Sequence, residues 1–191
     1  MKVGLYFGSF NPIHNGHLII ANYLAEFTDI EQVWMVVSPH NPLKPAGSLL
    51  QDYHRFHLVE LGIGSYRKIK ASKIEFELPR PSFTIHTLAY LREKFPQHDF
   101  SLIMGADNLE TFHKWKNYEL ILEDHDIYVY PRPLCDGGQF KDHPRVKWVE
   151  APLMEISSTF IRNAIKNGKD VHFMMPAAVA DYIDEMNFFK K

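Results

Sequence analysis

The chain is 191 residues long, 46% hydrophobic and 23% charged, with a formal net charge of −2. That composition fits an ordinary globular protein with room for one well-buried domain. Near-neutrality excludes a broad nucleic-acid or anionic-membrane surface, so any anionic ligand must be held by a local cluster. The single cysteine, Cys135, excludes an internal disulfide and a cysteine-based zinc cage, and makes a reducing cytoplasm the expected location.

Residues 3–7 are an apolar run that reads as a buried strand. Gly8-Ser-Phe-Asn-Pro-Ile-His-Asn-Gly-His17 follows and leads into a helix in which Ile20, Tyr23, Leu24 and Phe27 recur at helical spacing. No charge occurs between residues 3 and 25, yet Asn11, Pro12, His14, Asn15 and Gly16 interrupt the run, which excludes a membrane span and a signal peptide. Residues 32–37 form a second apolar strand, ended by the proline-rich stretch 38–45. A helix is predicted over 52–63 with Phe56, Val59 and Ile63 inward, then a strand over 69–78 with a break near Ser72.

The next helix runs to Phe95, with Ser82 as its N-cap and Leu88, Leu91 and Phe95 inward. A strand over 100–104 ends in Gly105-Ala-Asp107, followed by a short helix, Lys114-Trp115 and a helix near 118–123. The strand 127–130 is ended by Pro131-Arg-Pro133. Residues 134–144, with Gly137-Gly138, read as the most mobile segment and, with 39–50, as a candidate lid. A last strand covers 146–149. Ile156-Ser-Ser-Thr-Phe-Ile-Arg162 opens a helix ending at Gly168, and Pro176 opens a final helix with Val179, Ile183 and Met186 on one side.

Strands alternating with helices at this spacing predict an α/β fold: a doubly wound, mostly parallel, Rossmann-like sheet. The expected organisation is one domain over 1–191, with 156–191 packed on it as a small helical part. Ligands in such sheets sit at the carboxyl ends of the strands. Segments 8–17, 38–44, 105–107, 131–132 and 156–162 all fall there.

A strand, a loop with two glycines and two histidines, and a helix start suit phosphate binding: glycine admits close backbone approach, and the helix end offers N–H groups and a positive dipole end. Gly16 is read as leaving space for the ligand. His14 and His17 alone would supply only two metal ligands, so phosphate donation is preferred to a metal pair. Ser157 or Ser158 would cap the later helix, and Arg162, about one turn on, could grip a polyphosphate from the same face. His54 and His57 repeat the His-x-x-His spacing on an amphipathic helix without glycine and read as helix-face residues. His86 is a candidate for the acceptor side.

Gly8-Ser-Phe-Asn-Pro-x-His-x-Gly-His17 resembles the first signature of the nucleotidyltransferase superfamily, and Ile156-Ser-Ser-Thr-x-x-Arg162 resembles its second. Asn11 stands where that pattern has aspartate. Pro81-Ser-Phe-Thr84, Gly105-Ala-Asp107 with Lys114-Trp115, and Arg132-Pro133 extend the resemblance to the nicotinate-nucleotide adenylyltransferases over essentially the whole chain. In the loop ending Asn41-Pro-Leu-Lys44, the histidine that precedes the lysine in that family is absent.

The resemblance implies transfer of the adenylyl group of ATP to nicotinate mononucleotide, giving deamido-NAD and pyrophosphate in NAD biosynthesis, with Mg²⁺ carried by the ATP phosphates and no protein metal cage. It implies that His14, His17 and Arg162 are catalytic. Gly8, Ser9, Phe10, Gly16, His17, Gly105, Asp107, Ser157, Ser158, Thr159 and Arg162 would bind ATP and its phosphates. His40, Lys44, Ser82, Thr84, Trp115 and Arg132 would bind the acceptor nucleotide. Trp115 reads either as a stacking face for a pyridinium ring or as a core residue. Asp107 reads either as a ribose acceptor or as an Mg²⁺ ligand. No nucleic acid or membrane partner is implied, and a homo-oligomer is left open. The competing readings are a related transferase for phosphopantetheine or an amide mononucleotide, and a non-catalytic nucleotide sensor.

Overall fold

The computed structural model describes residues 1–39, 47 and 49–190. His40, Lys44 and most of the proposed 39–50 lid lie outside the described residues. Six strands, β1 (Lys2–Gly8), β2 (Gln32–Val37), β3 (Ile69–Ser72), β4 (Asp99–Gly105), β5 (Ile127–Tyr130) and β6 (Val146–Trp148), form one sheet in the order β3-β2-β1-β4-β5-β6. Every pairing is parallel. The strand order reverses between β1 and β4, which places the ends of those two strands, Gly8 and Gly105, at the crevice where doubly wound sheets bind ligands.

Among the described residues seven α-helices follow in chain order: α1 (Asn15–Phe27), α2 (Asp52–Ile63), α3 (Thr84–Lys94), α4 (Ala106–Glu110), α5 (Tyr118–Asp124), α6 (Ser158–Lys166) and α7 (Ala177–Glu185). They cover both faces, because alternate residues of a buried parallel strand need apolar partners on opposite sides. Val3 and Leu5 of β1 join a core with Leu88 and Leu91 of α3 and Ile121 of α5. Tyr6 joins the other core, with Ile20 and Leu24 of α1, Val59 of α2, and Val179 and Ile183 of α7. No described helix is long and apolar enough to cross a membrane.

Several sequence expectations need correction. The strand expected over 69–78 stops at Ser72, and Ile74–Glu77 coils into a 3-10 turn. This turn buries Glu75. The inward face of α2 is His54, Arg55, Leu58 and Val59, and it includes a guanidinium that apolar periodicity does not register. Phe27 and Met186 are exposed. The N-cap of α3 is Phe83 rather than Ser82, and it has no capping side chain. The 134–144 segment, expected to be the most mobile, contains a turn over Gly138–Phe140. Phe140 packs edge-on against Phe112, and the Trp148 indole N–H donates to the Lys141 carbonyl at 2.9 Å.

Helix α6 matters most for the site and is the most lightly anchored, with Ile161 its only buried residue. Ile161→Ala removes that anchor and should lower the unfolding free energy by about 2–5 kcal/mol, measured by urea denaturation. A loss typical of an exposed side chain would mean that α6 is held in some other way.

Candidate active site

The loop after β1 is built around a buried aromatic ring. Phe10 has a left-handed backbone (φ 45°). Its ring folds back over Gly8, where an added Cβ would lie 2.8 Å from it. The ring is 1% exposed and packs edge-on against His17 with centroids 5.1 Å apart. The Phe10 side chain thus backs His17 from the protein interior. A Cβ on Gly16 would sit 3.0 Å from the His14 ring, so the missing side chain makes room for that imidazole.

His14 is the N-cap of α1, with extended backbone. Its ring stacks on His17 at 3.7 Å between centroids. The His14 backbone N–H donates to His17 Nδ1 at 3.3 Å. That acceptor role assigns the His17 proton to Nε2, the free edge of the ring. His14 is buried and its Nδ1 has no protein partner among the described residues. Burial, and secondarily the Arg132 charge, push the His14 pKa down to about 4. Burial, His14 and Arg132 hold His17 well below the ordinary imidazole value. Both rings are thus neutral near pH 7, and the pair offers N–H donors without bringing two adjacent positive charges into a buried site.

The second motif docks on the first. Ser157 is the N-cap of α6, and its Oγ accepts the Phe160 N–H at 3.1 Å. Ser158 donates its hydroxyl to the Pro12 carbonyl at 2.8 Å. The Arg162 guanidinium donates to the Asn11 carbonyl at 2.9 Å and to Thr159 Oγ1 at 3.3 Å. The Ser158 proton is therefore committed to the loop, and its role is to hold the loop. Ser157, Thr159 and the remaining Arg162 N–H groups keep donor capacity. Asn11 has a legible role here. Its Oδ1 accepts the Leu50 N–H at 3.1 Å while its carbonyl accepts from Arg162. An uncharged amide suffices for that link.

At the end of β4, a Cβ on Gly105 would meet the Asp107 carboxylate at 2.4 Å and the Arg132 side chain at 3.0 Å. Arg132 Nε lies 3.6 Å from Asp107 Oδ1, its Nη1 donates to the Met154 carbonyl at 3.3 Å, and its guanidinium lies over the Tyr130 ring. The contacts of Arg132 thus run to the Gly105–Asp107 side, near the histidine pair, whereas the sequence grouped it with the acceptor residues. Among the described residues no group of three or more His, Cys, Asp or Glu side chains could hold a metal ion.

A cavity of about 180 Å³ opens beside this cluster, lined by Gly8, Ser38, Asn108, Trp115 and Tyr130 among others. Trp115 packs on Phe112 at 5.2 Å and also borders the cavity. Helix α3 begins nearby through Glu75. That buried carboxylate accepts the Thr87 hydroxyl at 2.9 Å. Burial raises the Glu75 pKa, and the hydroxyls around it, Thr87 foremost, oppose the rise. Ser82 does not cap the helix. The first α3 N–H groups with helical acceptors are those of His86 and Thr87, both to the Phe83 carbonyl. The amides of Thr84 and Ile85 precede them at the helix start. His86 is exposed, and His54 bonds the Tyr182 hydroxyl at 2.9 Å, as a helix-face residue would.

Glu75 and Arg55 were missed from sequence. Glu75 left no motif, whereas Asp52 and Arg55 form an i,i+3 ion pair at 2.6 Å whose spacing could have drawn notice.

Comparison with known proteins now bears on this geometry. Residues 5–164 match the cytidylyltransferase-like family model. The probable nicotinate-nucleotide adenylyltransferase of Flavobacterium johnsoniae is 58% identical, with 100% of both chains covered. That of Bacteroides fragilis is 46% identical over 93% of this chain and 89% of its own. The chain belongs to the nicotinate-nucleotide adenylyltransferase family. The solved structure of Plasmodium falciparum nicotinic acid mononucleotide adenylyltransferase complexed with NaAD shares the fold, with a TM-score of 0.81 at 20% identity, covering 99% of this chain and 97% of that one. Membership accounts for both motifs lying at one crevice, and the remaining contacts show how this family member joins them.

The neutral histidine pair has a consequence for acid stability. An unfolded chain protonates His14 near the ordinary value of about 6.5, whereas the folded chain resists protonation until about 4. The unfolded state therefore binds more protons in between, and stability present above about pH 6.5 is lost as pH falls toward 4. In His14→Gln the decline in unfolding free energy from about pH 6.5 to 4.5 should be shallower than in the native protein. Equal slopes would count against a buried neutral His14.

Proposed function

We propose that this chain transfers the adenylyl group of ATP to nicotinate mononucleotide, releasing deamido-NAD and pyrophosphate. The observation that carries the reading is the stacked, neutral His14–His17 pair at the start of α1, carried by a loop whose Pro12 and Asn11 carbonyls accept from Ser158 and Arg162 of α6. Full-length relatives bearing this activity in their names support it.

The reaction needs no covalent protein intermediate. The mononucleotide phosphate attacks the α-phosphorus in line, and the protein contributes alignment and charge stabilisation. His17, with its proton on Nε2, donates to an α-phosphate oxygen, and His14 assists beside it. Because both are uncharged they act as hydrogen-bond donors throughout. The β,γ-phosphates, which leave as pyrophosphate, lie toward the N-terminus of α6, where backbone N–H groups, Ser157, Thr159 and Arg162 hold them. Arg132, beside the histidines, adds a positive charge on the polyphosphate side and is balanced by Asp107.

The described residues supply no cage of protein ligands, which suits Mg²⁺, an ion that keeps waters and phosphate oxygens and needs only one or two carboxylates. Asp107 is the carboxylate at the crevice that would face it, and the ion would supply charge neutralisation for the polyphosphate. The cavity beside Trp115 takes the pyridinium ring, stacked on the indole. The amides at the start of α3 receive the nicotinate carboxylate.

Pyrophosphate release from ATP should require nicotinate mononucleotide. His17→Ala should lower kcat by about 10²–10³-fold, the usual cost of losing one preorganised donor. Near-native turnover would remove His17 from the mechanism, and no release with any acceptor would favour a nucleotide sensor.

The amide mononucleotide would turn NH₂ donors toward N–H donors and leave them unpaired, at a cost of about 1–3 kcal/mol. Initial rates should therefore favour the acid by about 5- to 150-fold. Equal rates would overturn the assignment of the α3 amides.

A further inference from the structure

The deepest charge in the molecule is not in the crevice. Arg55, on α2, is fully buried at 0% exposure and heads the largest enclosed side chains. A buried guanidinium is costly unless its donors are met, and an apolar residue of like size often packs there at no loss of stability. The bonds Arg55 makes indicate what it is for. Nη1 donates to the Ser9 carbonyl at 2.6 Å and to the Ser38 carbonyl at 2.8 Å. Nε donates to the Leu50 carbonyl at 3.0 Å, and Nη2 to Asp52 at 2.6 Å.

Two of these acceptors, Ser9 and Ser38, lie far from α2. Ser9 lies in the loop that carries His14 and His17. Ser38 follows β2 and lines the cavity bordered by Trp115. Leu50 ties back to the first loop, since its N–H donates to Asn11 Oδ1. One nitrogen of Arg55 therefore fixes the separation of the two loops that flank the crevice, and a second bond closes the ring through Leu50. The Ser38 N–H, which donates to the Gly8 carbonyl at 2.9 Å, lies within the same knot.

We propose that Arg55 is a positioning residue that sets the phosphate loop and the acceptor loop in register, and so sets the attacking phosphate in line with the α-phosphorus. This rests on the adenylyl-transfer reading above. Arg55 touches neither substrate. Each substrate would still meet its own loop if Arg55 were altered, but the two would no longer be aligned with one another. Its loss should therefore act on kcat and leave the KM values nearly unchanged.

The test is Arg55→Lys, which keeps the charge beside Asp52 but gathers its donors on one nitrogen. That nitrogen cannot reach Leu50, Ser9, Ser38 and Asp52 together. Melting curves establish the folded fraction at assay temperature. Per folded molecule, kcat should fall by about 10–100-fold, the scale of a misalignment of about 1 Å, with both KM values within about threefold of native by that same reasoning. Amide hydrogen exchange at Ser38 and in the 8–14 loop should speed up at least tenfold, while β4 and β5 amides hold their native rates. Arg55→Ala supplemented with guanidinium should recover kcat; should that variant not fold, the lysine variant decides alone.

A kcat loss accounted for by unfolded protein, a rise confined to KM, or unchanged exchange at Ser38 would each overturn the proposal. So would loosened loops with native kcat. If the native chain released no pyrophosphate with nicotinate mononucleotide, the functional reading would fall. The exchange data would still decide whether Arg55 holds the two loops together.

Discussion

A backbone that is to hold an anion must turn its carbonyl oxygens away from it, and in residues 8–14 donors from distant parts of the chain meet that constraint. The Gly8 carbonyl is taken by the Ser38 N–H, Ser9 by Arg55, Asn11 by Arg162, Pro12 by Ser158, and His14 by the first turn of α1. With these five carbonyls engaged by the protein, the α1 dipole end and two neutral imidazole donors stand at the crevice. The second motif, commonly thought of as a ligand contact, spends part of its hydrogen-bonding capacity on this task. Arg162 and Ser158 shape the loop before either meets a ligand.

Charge is placed with the same economy. Bringing two imidazolium ions to a stacking distance of 3.7 Å would set like charges together inside the protein. Keeping both rings neutral avoids that repulsion and still leaves donors, and the positive charge of the site sits on arginines at the margin. Arg132 is one of the groups that keep the histidines deprotonated. Its own balance comes from Asp107, whose carboxylate lies in the space that a side chain on Gly105 would fill.

The regular elements were largely readable from sequence, because buried parallel strands and amphipathic helices follow apolar periodicity, and the two motifs stood out through their glycines, histidines and serines. What periodicity cannot register is a polar group that is buried because it is bonded. Arg55 on the inward face of α2 and Glu75 inside an expected strand both broke the pattern without announcing why, since their acceptors and donors lie far off in sequence. Phe10 and Gly16 stood out only as motif members, and the packing they provide, one backing His17 and the other making room for His14, was not legible. Asn11 illustrates the opposite case. Its departure from the family pattern looked like a lost charge, and its amide oxygen accepts the Leu50 N–H, a bond that needs no charge.

The bonds from Ser158 to Pro12 and from Arg162 to Asn11 close loops of 146 and 151 residues in sequence. During synthesis the first motif emerges well before Ser158 and Arg162, two of the side chains that orient its carbonyls. The sheet can assemble around β1 while the loop at its tip is still without its final partners, and closure over such separations is slow because chain entropy opposes it. A competent phosphate loop is thus a late product of folding, completed after the core that supports it, and nascent or truncated chains lacking α6 would hold the first motif in full yet without its working shape.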